Sequence, residues 1–67
     1  MQLHLDPVTR KIPASYPRTF YRVETWRGGF YRADFDNLAE AQAFAVSDSG
    51  RGNIDHAVRT MHLGAGR

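Results

Sequence analysis

Phe20-Tyr21-Arg22-Val23-Glu24-Thr25-Trp26-Arg27-Gly28-Gly29-Phe30-Tyr31-Arg32-Ala33-Asp34-Phe35 reads as two β-strands joined by a tight turn at Arg27-Gly28-Gly29. A slip of one residue would send every side chain of one strand to the opposite face, so the letters themselves test the register. A two-residue loop at Gly28-Gly29 sets Trp26 against Tyr31, Val23 against Asp34 and Arg22 against Phe35, and both faces come out mixed. A three-residue loop over Arg27, Gly28 and Gly29, with Gly29 as the left-handed residue of a bulge, sorts them instead. Tyr21/Phe35, Val23/Ala33 and Thr25/Tyr31 then form a face ready to be covered. On the other face Glu24 meets Arg32, Arg22 meets Asp34 and Trp26 meets Phe30, favourable cross-strand pairs. The three-residue loop is therefore expected, with the first face as the core.

After the hairpin, Asp36-Asn37-Leu38-Ala39-Glu40 announces a helix, since Asn37 can accept the Glu40 amide while the Glu40 side chain reaches back. Leu38, Ala41, Phe44 and Ala45 recur at the spacing of one helical face and are the natural cover for the hairpin. Ser47-Asp48-Ser49-Gly50-Arg51-Gly52 should end the helix, with Gly50 as its left-handed cap. The segment Asn53 to Leu63 supports two readings. As a helix, Asn53 caps it and Ile54, Ala57, Val58 and Met61 form a stripe. As a strand, Ile54, His56, Val58, Thr60 and His62 share one face. An isolated hairpin has too little partner surface, which favours a strand within residues 54–63 and a β-β-α-β order.

Before the hairpin, Gln2-Leu3-His4-Leu5 alternates like a short edge strand ending at Asp6-Pro7. Pro13 and Pro17 push Ile12 and Tyr16 out of helical geometry, so Ile12 to Arg18 should be extended. The expected organisation is an α+β domain over 19–63, an extended arm over 1–18 and a loose tail over 64–67. The order strand, glycine turn, strand, then Leu38-Ala39-Glu40-Ala41-Gln42-Ala43-Phe44-Ala45 resembles the sheet-plus-helix modules of arm-binding domains in phage-type integrases. Those modules carry a third strand before the helix and a more basic strand face, and the chain is not assigned to that family.

Size and composition narrow the function. A chain of 67 residues forms at most one domain, burying only about 60% of its unfolded surface, too little to enclose a large active site. With no cysteine, there is neither a disulfide framework nor a thiolate metal site, as in a reducing compartment. No run approaches the roughly 18 apolar residues of a membrane span, and a soluble cytoplasmic protein is expected. Nine Lys plus Arg against seven Asp plus Glu is mildly basic and decides no partner. Nucleophile elbow, phosphate loop and zinc-protease motifs are all missing. His4, His56 and His62 would meet only if the first and last strands were neighbours, and without cysteines or acids at ligand spacing they read as partly exposed strand residues. No catalytic residue, cofactor or metal is expected.

Binding remains. The leading expectation is a protein-interaction module centred on Trp26, Arg27 and Phe30, joined by Tyr16 or Phe20, residue types that dominate interface energies. The competing structural reading has the N-terminal arm folding across this face and burying both tip rings. A second copy of the chain is a further candidate partner, through a free sheet edge. The alternative function is nucleic-acid binding, with Phe20, Trp26 and Phe30 stacking on bases and Arg18, Arg22, Arg27 and Arg32 on phosphates. Pairing of Arg22 with Asp34 and Arg32 with Glu24 would neutralise that surface. Small size without catalytic parts suggests a regulator or inhibitor of a larger complex, of the kind phages and other mobile elements encode.

Overall fold

The computed structural model describes residues 1–52 and 55–63. Its elements are β1 (Gln2–Leu3), β2 (Thr19–Thr25), β3 (Tyr31–Phe35), α1 (Leu38–Gly52) and β4 (His56–His62). The strands make one antiparallel-paired sheet in the order β1-β3-β2-β4. The α+β class and the β-β-α-β order are as expected, with the short N-terminal alternation adding an edge strand beside β3. The segment with two readings is a strand: β4 pairs along the whole of β2, from Thr19↔His62 to Thr25↔His56. It gives the hairpin the third long strand that a stable sheet needs. The Asn53 cap, the Ile54 position and the 64–67 tail lie outside the described residues.

The hairpin keeps the expected register at its base and departs from it near the turn. Tyr21↔Phe35, Arg22↔Asp34 and Val23↔Ala33 pair as read, but Glu24 then faces Tyr31, so Arg32 is the extra residue of a bulge. The loop is closed one residue earlier than expected: the Thr25 amide donates to the Phe30 carbonyl at 2.9 Å, and the Phe30 amide to Thr25 Oγ1 at 3.0 Å. Both glycines of the turn are left-handed, Gly28 at φ 88° and Gly29 at φ 64°. Trp26 is consequently not paired with Phe30. Its amide donates instead to the Asp55 carbonyl at 2.8 Å, extending the β2–β4 ladder.

One sheet face is sealed by α1. Val23, Ala33 and Phe35 pack against Ala41 and Ala45, with Tyr21, Phe44 and Val58 at the margin. Two alanines at i and i+4 bring the helix close to the sheet, and Phe44 tilts against Phe35 with ring centroids 5.4 Å apart. Leu38, expected to supply buried area, is 42% exposed. The Asn37 cap forms as read, its Oδ1 accepting the Glu40 amide at 2.8 Å. The Glu40 carboxylate does not reach back; it meets the Met1 ammonium group. Gly50 is no left-handed cap, because α1 runs on to Gly52. The physical reason is Asp48, three residues beyond Ala45 on the inner face, which is bound from the sheet by Arg32 and His56. Those contacts hold the last turns helical despite the glycine.

The arm covers the other face. Asp6 Oδ1 accepts the Val8 and Thr9 amides at 2.8 and 2.9 Å, and the Arg10 amide donates to the Asp6 carbonyl at 2.9 Å. These bonds, that from Thr9 first, hold the Asp6 carboxyl below its ordinary range. Ile12 to Arg18 is not extended throughout. A turn sets the Tyr16 amide 3.1 Å from the Pro13 carbonyl and delivers the Tyr16 ring edge-on to Phe20 with centroids 4.9 Å apart.

Candidate functional site

Three of the five residues expected at a partner surface stay at the turn that closes the hairpin. Trp26 and Phe30 are each 70% exposed, and Arg27 between them in sequence is exposed as well. The arm therefore crosses the sheet without covering either ring. Trp26 also lies nearer the helix than strict alternation implies. It lines a concavity of about 360 Å³ together with Ala45, Val46, Ser49, Asp55 and His56, and Val46 on the neighbouring helix face is 75% exposed. Exposed apolar side chains from turn and helix thus border one concave surface, which is the arrangement of a contact site.

Tyr16 and Phe20, the other two, are interior residues. Phe20 has no exposed surface and Tyr16 is 8% exposed. They wall a buried polar group that the bulge and the arm assemble around Asp34. The Asp34 carboxylate accepts from Arg22 Nε at 2.8 Å and Nη2 at 3.1 Å, and from the Tyr16 hydroxyl at 2.6 Å. Bidentate geometry and a third donor leave the buried charge fully answered, as its complete burial requires. Burial first, and the hydrogen bond to Asp34 second, push the Tyr16 hydroxyl far above its ordinary range. Tyr31 is raised chiefly by burial and then by the Asp34 charge. The Arg22 guanidinium lies 5.1 Å from the Tyr31 ring centroid and 5.4 Å from that of Phe20, while Arg10 approaches Tyr31 at 5.8 Å. Tyr31 reaches this face only because Arg32 bulges out.

The arginines named for phosphate contact are dispersed. Arg22 is committed to Asp34 as read. Arg32 does not pair with Glu24; it makes a two-pronged contact with Asp48 at 2.7 and 3.0 Å, and Glu24 takes Arg59 of β4 at 3.3 Å. Arg18 and Arg27 are exposed at the beginning and end of β2. The histidines do not converge: His4 follows β1 at one edge of the sheet, and His56 and His62 sit on β4 at the other. His62 Nδ1 is 3.2 Å from Thr19 Oγ1, and His56 Nε2 is 2.6 Å from Asp48 Oδ2. Among the described residues no cluster of three potential metal ligands is present, and no helix is long and apolar enough to cross a membrane.

Asp48 is the structural residue that strand pairing alone does not reveal. The Arg32 guanidinium first, and His56 second, hold its carboxyl down at about 2. A sequence signal existed: Asp48 continues the spacing of Ala41 and Ala45, placing an acid on the buried stripe, where it requires a cation opposite. Compared with known proteins, the chain matches no family model, and neither a curated protein nor a solved structure matches it.

Proposed function

We propose that the protein is a non-enzymatic protein-interaction module that binds through the hairpin tip, with Trp26, Arg27 and Phe30 at the centre of contact. The observation that carries this reading is the exposure of Trp26 and Phe30 at 70% each in a chain whose other phenylalanines Phe20 and Phe35 are buried. Two large rings held at the end of a closed hairpin, beside an exposed valine, match the aromatic anchors that dominate protein interfaces. The sheet surface that base stacking would need is occupied by the arm, with Phe20 buried and Arg22 and Arg32 bound to carboxylates. Acting by occupying a surface of something larger suits a regulator or inhibitor of a host complex.

The test is capture of partners from a lysate with the native chain and with Trp26→Ala, each with and without nuclease. A partner that withstands nuclease and is lost with Trp26→Ala is the expected result. Since the ring is mostly exposed, Trp26→Ala should lower stability by no more than about 1 kcal/mol in a urea melt. Capture abolished by nuclease would transfer the function to nucleic acid.

A further inference from the structure

We propose that the concavity beside Trp26 is a receptor for a basic side chain, an arginine above all, presented by the protein partner. The inference rests on the interaction reading above and specifies the chemistry of the partner. Just beyond Thr25↔His56, the last pair of β2 and β4, the Trp26 amide donates to the Asp55 carbonyl at 2.8 Å and sets the two residues opposite one another. Residues so paired hold their Cβ atoms roughly 5 Å apart. An indole and a carboxylate are thus placed side by side by backbone geometry, and both line the concavity. Ser49 adds a hydroxyl, and Ala45 and Val46 an apolar wall.

Charge decides between occupants. Asp48, one turn along α1 from Ala45, is already answered by Arg32 and His56. Asp55 is exposed, and among the described residues no cation pairs with its carboxylate. An apolar side chain entering here would strip water from Asp55 without replacing its hydrogen bonds, which is unfavourable. A guanidinium stacks its plane on an indole and forks its N–H groups toward a carboxylate, while its methylene stem covers Ala45 and Val46. Lysine offers the charge without the planar fork.

The protein's single tryptophan is itself the reporter. Its emission is followed on titration with N-acetyl-arginine amide, the neutral isostere N-acetyl-citrulline amide and N-acetyl-leucine amide, with affinities expected on the order of millimolar for such small probes. The arginine probe should saturate and bind about tenfold more tightly than citrulline, the sum of a cation–π contact and one exposed ion pair. Asp55→Asn should remove the ion-pair share, about threefold in affinity, leaving arginine above citrulline by its stacking on Trp26, and high salt should do the same in the native chain. Leucine binding as tightly as arginine, an affinity for arginine unchanged by Asp55→Asn, or no saturable response to arginine would each overturn the proposal. Partner capture that depends on Trp26 but not on Asp55 would also overturn it, while leaving the tip as the interface. Capture lost to nuclease would remove the interaction reading itself.

Discussion

Replacing Asp34 by asparagine should cost this domain a large part of its stability. The carboxylate is completely buried and accepts three hydrogen bonds, two from the half-buried Arg22 guanidinium and one from the Tyr16 hydroxyl. Asn keeps the shape but removes the charge and turns an acceptor into an NH₂ donor facing other donors. Breaking a buried ion pair from one side costs about 3–5 kcal/mol; the partial exposure of Arg22 places the expectation at the lower end, about 3 kcal/mol. A domain of this size has on the order of 3–10 kcal/mol in total. The melting temperature should therefore fall by roughly 12 °C or more, at about 4–8 °C per kcal/mol. Far-UV circular dichroism through urea and thermal melts of the native chain, Asp34→Asn, Arg22→Met and the double variant gives both the loss and the coupling. The double variant should be clearly more stable than the sum of the single losses predicts. A loss for Asp34→Asn below about 1 kcal/mol, or strict additivity, would refute the claim that this pair organises the arm-covered face.

Other outcomes follow from the turns and from Asp48. Arg10 has φ 61°, a left-handed conformation that is unfavourable for a side-chain-bearing residue by about 1 kcal/mol, so Arg10→Gly should raise stability by roughly 0.5 kcal/mol even after losing the contact with Tyr31; a lower melting temperature would show that the stacking outweighs the strain. Gly28→Ala should be more damaging than Gly29→Ala, because Gly28 at φ 88° lies outside the left-handed well that Gly29 occupies at φ 64° and an added Cβ there would also push the exposed Phe30 ring aside, whereas at Gly29 it meets open space; equal losses in a thermal melt would count against the turn geometry. Asp48 has its carboxyl lowered from 3.8 to about 2, so the unfolded chain takes up that proton first. Its contribution is complete above pH 3.8 and is lost as pH falls toward 2. Asp48→Asn should flatten stability over that acid window, and an unchanged acid limb would sever Asp48 from the fold's pH response.

The hairpin was legible because alternation is a local rule: the residues from Tyr21 to Val23 and from Ala33 to Phe35 carry their facing partners in their own order. The helix cap and the Ala41/Ala45 stripe were legible for the same reason, as was the edge position of Gln2 and Leu3. What failed near the turn failed for a tertiary reason. Arg32 has a better acceptor on the helix than on the facing strand, since Asp48 offers both oxygens, and the bulge that frees it also moves Tyr31 to the arm's side. Phe20 and Tyr16 look like interface aromatics in the sequence because nothing local says that the arm will turn at Pro13 and bury them against each other.

The α+β class, the base of the hairpin register, the Arg22–Asp34 pair and the placing of Trp26, Arg27 and Phe30 around a glycine turn all follow from the order of the residues. Each follows from neighbours within one or two elements, where periodicity and pairing rules act. Which aromatic rings remain outside, which acid receives Arg32, and that the Trp26 amide bonds to Asp55 and not across to Phe30 are set by packing between distant segments. Those outcomes depend on contacts between segments far apart in the chain, and a buried charge or an open rung selects its partner only when the helix and the last strand are in place.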